Sequence, residues 1–374
     1  MIRHRMYGFS GVRLRLNLSG MGNVVYEKVN MKLSMRTLLL GGLLAVSTPA
    51  AESSACTRVV YKGLNGTLLT DWKEDIHTNL WMFPRGMQRT GEVGPNSVKW
   101  TAKYGSVIAS GYDISTTDGM NEKGLVANLL FLAESEYPAF TAQKQGLTIA
   151  AWCQYVLDNF ATVKEAVDAL RQETFVIVTD KIPGMDRLAN LHLSISDPSG
   201  DNAIFQYVGG KLNIHHSPEY NVMTNSPIFE KQLALNEYWQ EIGGTTMLPG
   251  TNRAADRFVR ASFYAQAIPK TDDTRQAVAS VFSVIRNCSV PLGISTPDQP
   301  NISSTRWRSV SDQKNLVYYF ETARTPNTFW VDLKKVNFAQ GQPVHKLPLT
   351  KDETYAGDAG KHFVKAEPFK FLGL

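Results

Sequence analysis

Residues 35–56, MRTLLLGGLLAVSTPAAESSAC, constrain all that follows, because they divide the chain into a part to be removed and a part to fold. Arg36 leads into an apolar run at 38–46, then Pro49 and a cluster of small residues ending at Ala55. That order is the grammar of a secretory signal peptide. The apolar run is too short to cross a bilayer, which takes about 20 residues. Cleavage after Ala55, with Ser53 and Ala55 at the small positions, puts Cys56 first in the mature chain. An N-terminal cysteine carries a thiol and a free α-amine on one residue, which is a nucleophile with its own base. Residues 31–55 are therefore read as the signal peptide. Residues 1–30 resemble no part of one and are read as an upstream extension or a mis-assigned start ahead of Met31 or Met35.

The remaining 319 residues suffice for one large domain or two ordinary ones. The formal charge of +5 belongs to the leader. Residues 1–55 hold seven of the 39 Lys/Arg and two of the 34 Asp/Glu, which leaves 32 of each sign. A balanced surface gives no argument for nucleic-acid binding. The three cysteines, Cys56, Cys153 and Cys288, do not make a disulfide framework. Cys153 lies in the apolar helical pattern AAWCQYVLDNF, and Cys288 also reads as a core residue; a bridge between them is conceivable but has no support. The seven histidines show no HExxH or similar spacing, so no metal and no cofactor are expected.

Periodicity then orders the elements. Cys56 precedes β-formers at 57–61, with a hairpin-like turn at 64–66 and a strand at 67–70. Further strands are expected at 80–83, 98–101 and 106–110, and a buried one at 125–132 after the polar, turn-rich DGMNEKG of 118–124. Helices are expected at 148–160 and 162–172, the second capped by Thr162 with Glu165 three residues on. Strands return at 175–178, 192–196, 203–207, 211–215 and 221–224, helices at 227–240, 253–267 and 274–286, and strands at 316–321 and 328–332. This is an α+β chain, and two sheets stacked face to face with helices outside use all the pieces.

Several stretches resemble the choloylglycine hydrolase family of conjugated bile salt hydrolases and penicillin V acylases. They are Cys56-Thr57-Arg58, Asp71-Trp72, DGMNEKG (118–124), VMTNSP (222–227), NRAADRF (252–258), SVPLGISTP (289–297) and 305–319, in the family's order. TNLWMFPRG and GTNRAADRFVRASFY look most like its Gram-negative periplasmic branch, where penicillin V acylase and N-acyl-homoserine lactone acylase activities are typical. The resemblance implies a single N-terminal nucleophile hydrolase domain over 56–374, an αββα four-layer sandwich, a homotetramer and a periplasmic location. It also implies a small-molecule amide as the substrate.

Residue by residue, the resemblance makes Cys56 the nucleophile and Asp71 the aspartate that holds its amine and thiol. Asn225 becomes the side-chain donor to the oxyanion, and Arg257 the electrostatic support of the centre. Phe131 falls where the family supplies a backbone N–H as second oxyanion donor, and with Trp72, Trp81 and Tyr137 it is expected to line an apolar acyl pocket. One departure matters. The family reads Gly-Arg-x-Met-Asp around this aspartate, whereas here Thr67-Leu68-Leu69-Thr70 runs straight into Asp71, and the arginine is gone. Loss of a cation beside a thiolate raises the thiol pKa and weakens its activation. Three alternatives stand beside the acylase: a conjugated bile salt hydrolase, a binding relative with little or no turnover, and a lipoprotein acylated on Cys56. Against the last, Ser53-Ser54-Ala55 lacks the Leu expected three residues before a lipobox cysteine.

Overall fold

Alternation of buried apolar residues along successive strands decides the architecture. Leu80, Met82, Val107, Ala109, Val126 and Leu130 belong to one core cluster, while Trp81, Phe83, Ile108, Ala127 and Leu129 belong to another. A strand with period 2 presents its odd and even residues to opposite faces, so this sheet is covered on both sides. The computed structural model describes residues 56–62, 67–72, 76–141, 143–184, 186–294, 304–325, 327–351 and 353–374, with the backbone alone at 67–72. The expected leader, 1–55, lies outside the described residues.

In chain order the strands are β1 (Thr57–Tyr61), β2 (Thr67–Trp72), β3 (Leu80–Phe83), β4 (Gln88–Thr90), β5 (Lys99–Thr101), β6 (Ser106–Gly111) and β7 (Ser115–Asn121). They continue with β8 (Val126–Phe131), β9 (Gln145–Thr148), β10 (Phe175–Val178), β11 (Leu191–Ser196), β12 (Asn202–Val208), β13 (Lys211–His216) and β14 (Val222–Met223). The last are β15 (Trp307–Asp312), β16 (Val317–Thr322), β17 (Phe329–Asp332), β18 (His345–Leu347), β19 (Gly357–Asp358) and β20 (Val364–Lys365). The helices are α1 (Ile149–Asn159), α2 (Val163–Leu170), α3 (Phe229–Ile242), α4 (Ala254–Ala267) and α5 (Thr274–Cys288).

One sheet runs β14-β1-β2-β15-β16-β17-β19 and the other β13-β12-β11-β8-β7-β6-β3-β18-β20. Helices α4 and α5 pack on the first sheet, α1 and α2 on the second, and β2 lies against β8 across the middle. The layers are therefore α, β, β, α, as expected. Helix α2 begins where its cap predicts: Thr162 Oγ1 accepts the N–H of Glu165 at 3.2 Å, and Glu165 Oε2 accepts that of Ala161 at 2.8 Å. Cys153 and Cys288 are buried and are not bridged to one another. Burial pushes the Cys153 thiol well up, which keeps it protonated.

Several short strands, β4, β9 and β18 to β20, were not expected, and two longer elements depart from expectation more tellingly. The polar stretch at 118–121 is the end of the buried strand β7 rather than part of a turn. Its polar groups are carried inward because each finds a partner. Thr116 bonds Gln154 at 2.8 Å, Asn121 donates to Leu157 O at 2.9 Å, and Asp118 accepts from Asn128 and from the Tyr318 hydroxyl. Strand β15, WRSVSD, was not expected as a strand, yet it is a central one that pairs with β2 and β16 along its length.

Candidate active site

Strand β1 delivers Cys56 to the mouth of the sandwich. Thr57 sits opposite Asp71 of β2 on one side, and Arg58 opposite Met223 of β14 on the other. Alternation then turns Thr57 outward to α4 and Arg58 inward. The fully buried Arg58 donates to Tyr220 O at 2.8 Å and reaches Ile195 O of the other sheet at 3.4 Å. Burial pulls its guanidinium down to about 9.

Two of the expected residues converge on the backbone of Cys56, and a third is tied to them through Asn225. Its N–H donates to Asn225 Oδ1 at 2.8 Å. Arg257 Nη1 donates to Cys56 O and to Thr57 Oγ1, both at 2.6 Å, while its Nη2 donates to Asn225 Oδ1 at 2.7 Å. Asn225 Nδ2 donates to Phe131 O at 2.7 Å. The amide of Asn225 is oriented by its neighbours: its oxygen faces two obligate donors and its nitrogen an obligate acceptor. Cys56 and Arg257 are almost wholly buried, and Asn225 is 2% exposed.

The loop that carries Asn225 is clamped from both sides. Gln232, in the first turns of α3, donates to Asn225 O and, at 2.7 Å, to Pro227 O. On the other side His192 Nε2 bonds Thr224 O at 2.9 Å, so that nitrogen carries the proton, and Nδ1 accepts from Gln206 at 2.9 Å. Burial holds the His192 imidazole down at about 3, so the ring is neutral and this tautomer is fixed. Ser226 bonds Glu134 at 2.7 Å and ties the loop to the chain just beyond Phe131. None of these clamping residues was anticipated, because a lone Gln or His in a helix or strand carries no sequence signal of its role.

Phe131 ends β8. Leu132 donates its N–H to Asn190 O at 2.9 Å, so the N–H and C=O of Phe131 turn to the opposite side, toward Asn225. Strand β7 has ended its pairing there at Asn128. The Phe131 ring lies under the Arg187 guanidinium, 5.1 Å from its centroid.

The other expected pocket residues divide. Trp81 does not line an acyl pocket. Its position on β3 points it to the α1–α2 layer, where it is buried and donates its indole N–H to Asp113 at 2.8 Å. Tyr137 packs against the same core, its ring tilted 50° to that of Tyr207, and its hydroxyl accepts Leu191 N–H at 2.9 Å and donates to Leu191 O at 2.6 Å. The side chains of Asp71 and Trp72 lie outside the described residues; their backbone pairs with β1 and β15. An apolar cavity of about 90 Å3 does lie at this end of the sandwich, lined by Ile76, Tyr112, Thr117, Ile182, Leu191 and Leu372 among others. Leu191 stands opposite Phe131 across β8 and β11, and Ile76 shares a core cluster with Cys56. Among the described residues no group of His, Cys, Asp and Glu is arranged to hold a metal ion.

Two facing sheets with helices outside, and a strand-initial cysteine whose nitrogen is held at one end, define an N-terminal nucleophile hydrolase fold. The chain belongs to the choloylglycine hydrolase family of linear amide C–N hydrolases, whose profile matches residues 56–346 and begins at the cysteine itself. It is 54% identical over 373 residues to the penicillin V acylase of Pectobacterium atrosepticum, covering 92% of this chain and 99% of that one. The structure of penicillin V acylase from Agrobacterium tumefaciens superposes with a TM-score of 0.79 at 61% identity, over 85% of this chain and all of that one. A mutant conjugated bile acid hydrolase from Clostridium perfringens shares the fold at 23% identity, with a TM-score of 0.65 over 81% of this chain and 98% of that one. The chain is thus a penicillin V acylase-like linear amide hydrolase.

Proposed function

We propose that the mature protein begins at Cys56 and hydrolyses a linear amide, of the penicillin V or N-acyl-homoserine lactone type, by attack of the Cys56 thiolate. The observation that carries this reading is the grip on the Cys56 nitrogen. Asn225 Oδ1 accepts its N–H at 2.8 Å and is itself held by Arg257. That nitrogen stands in for the α-amine exposed once residue 55 is cut away. A structural cysteine would have no use for a charged, buried system that orients its backbone nitrogen.

The chemistry follows from the groups at hand. The α-amine takes the thiol proton, and the thiolate adds to the amide carbonyl. An α-amine titrates near 7.7–8.0 when unperturbed, and the adjacent Arg257 guanidinium disfavours a second positive charge, which keeps the amine available as a base. The Phe131 N–H and the second hydrogen of Asn225 Nδ2 lie on the side where the oxyanion develops. The protonated amine gives its proton to the leaving group, and water then releases the acid from the thioester by the reverse relay. The cavity beneath Ile76 and Leu191 takes the acyl group.

The signal-like leader supports a periplasmic location. The expected homotetramer has a candidate surface in Leu235, Tyr238 and Ile242, an exposed apolar stripe along α3. Intact mass of the exported protein is the decisive measurement. A mass that starts at an unmodified Cys56, together with turnover of penicillin V, supports the reading; a lipid adduct or retained upstream residues overturns it. The arginine missing before Asp71 favours a second reading, a relative that binds amides without cleaving them. Then Cys56→Ser would leave ligand affinity unchanged, and the unaltered protein would show no turnover.

A further inference from the structure

We propose that Gln232 is a positioning residue for the reaction: it holds the backbone from which the Asn225 side chain is aimed at the oxyanion. This rests on the amidase reading above and supplies what that reading needs, a donor held in one place.

The ladder beside the site is short. Strand β14 pairs Val222 with Val59 and Met223 with Arg58, and ends there. The loop at 224–227 carries on beyond it, and side chains receive its carbonyls. His192 holds Thr224 O at 2.9 Å, and Gln232 Nε2 holds both Asn225 O and, at 2.7 Å, Pro227 O. Gln232 Oε1 faces the Thr224 hydroxyl at 3.0 Å. That hydroxyl lies 2.9 Å from Ala254 O, in the first turn of α4, the helix that carries Arg257. One amide thus touches three of the four residues of the loop. Two obligate acceptors face its nitrogen, so its orientation is fixed.

Packing alone does not account for a glutamine at this place. Helix α3 has 14 residues, of which Phe229 and Gln232 are buried. An apolar side chain would bury its surface at no polar cost, whereas a buried amide must have its polar atoms paired. Here they are paired, and every partner belongs to the loop. Phe229 donates its N–H to Gln206 Oε1 at 3.1 Å, and Gln206 in turn fixes His192. Both buried attachments of α3 lead to the turn at Thr224 and Asn225.

The contacts of Asn225 with Cys56, Arg257 and Phe131 act on its side-chain amide. Gln232 acts on the main chain beneath it. With the Asn225 carbonyl pinned toward α3, the side chain departs toward Cys56 and Phe131.

The test is a double-mutant cycle on the exported protein, with kcat on penicillin V expressed per Cys56 thiol titrated by an alkylating agent. Gln232→Met leaves Asn225 O and Pro227 O without their donor. It should lower kcat by about 10–100-fold, the scale of a small misplacement, and leave KM close to that of the parent. Gln232→Glu keeps the shape and, with its buried carboxyl protonated, one donor. Its kcat should fall between the two, and it serves the same cycle if the Met variant does not fold. On the Asn225→Leu background either change should cost kcat almost nothing further, because the group it positions is gone. Losses that add in the two backgrounds, or a kcat per thiol equal to the parent's with stability alone reduced, assign Gln232 to the fold and overturn the proposal.

Binding of phenoxyacetaldehyde separates that result from failure of the amidase reading. The Cys56 sulfur bonds to the aldehyde carbon and the thiol proton passes to the aldehyde oxygen, which takes the oxyanion position with no amide to cleave. Turnover with additive losses, or an adduct indifferent to Gln232→Met, sinks the positioning role alone. An adduct weakened about 10-fold by Gln232→Met, without turnover of penicillin V, sinks the amidase alone. Neither turnover nor adduct sinks both.

Discussion

Arg257 and Asn225 meet at 2.7 Å, Nη2 to Oδ1, on the same oxygen that receives the Cys56 N–H. One amide oxygen thus reports the position of the first residue of the domain to a cation on α4, and its nitrogen reports it to the end of β8. Such an arrangement leaves little freedom to Asn225, and its replacement is the sharpest probe of the site.

Asn225→Leu should lower kcat by about 10²–10³, as loss of one oxyanion donor does elsewhere, with a smaller change in KM. The side chain makes no contact with the apolar cavity, which motivates the split. Steady-state kinetics on penicillin V checks it; a kcat within a few-fold of the parent would remove Asn225 from the chemistry.

Arg257→Met should act on both stability and pH dependence. It deprives Cys56 O, Asn252 O and Asn225 Oδ1 of a donor in a dry interior. Unmade buried bonds of this kind cost about 1–3 kcal/mol each, so a loss of several kcal/mol is expected in chemical denaturation. Removal of the cation should also raise the α-amine pKa, which moves the acid limb of the kcat/KM profile to higher pH. A profile that keeps its acid limb in place would show that the amine is not the base.

His192 makes stability depend on pH in a definite direction. Its folded-state pKa of about 3 lies below the ordinary value of 6.5 because the ring is buried. Between those values the unfolded chain binds a proton that the folded chain refuses, so stability is full above pH 6.5 and declines as pH falls toward 3. The size is on the order of 3–5 kcal/mol from the shift alone. Urea midpoints of the parent and of His192→Gln at pH 7 and pH 4 measure it: the variant should lose less stability on acidification. Equal losses would place the acid sensitivity in other groups.

The α3 stripe makes the proposed assembly testable. Tyr238 and Ile242 are 55% and 46% exposed, and an apolar patch in water is a candidate contact surface. A Tyr238→Glu, Ile242→Glu double variant should run as a smaller species than the parent in light scattering after size exclusion. An unchanged mass would place any interface elsewhere.

The parts legible in the sequence were those whose chemistry is local. The α2 start could be read because Thr162 and Glu165 cap each other within one turn. The strands at 80–83 and 126–131 could be read because their residues are apolar on both faces. Strands β7 and β15 could not. Asp118 and Ser309 look like turn residues until they are brought face to face across the sandwich, 191 positions apart. Trp81 misled for a related reason: aromatic character says that a residue is buried, but only strand parity says on which side. Cys56, Asn225 and Arg257 were named from motifs, yet the clamp of Gln206, His192 and Gln232 needed the fold.

Position 131 has one further consequence. Its main-chain atoms face Asn225, while its ring lies against Arg187 and away from that contact. The two duties are carried by separable parts of one residue. Exchange of the side chain therefore leaves in place the carbonyl that orients Asn225, so variation at this position need not disturb the grip on Cys56.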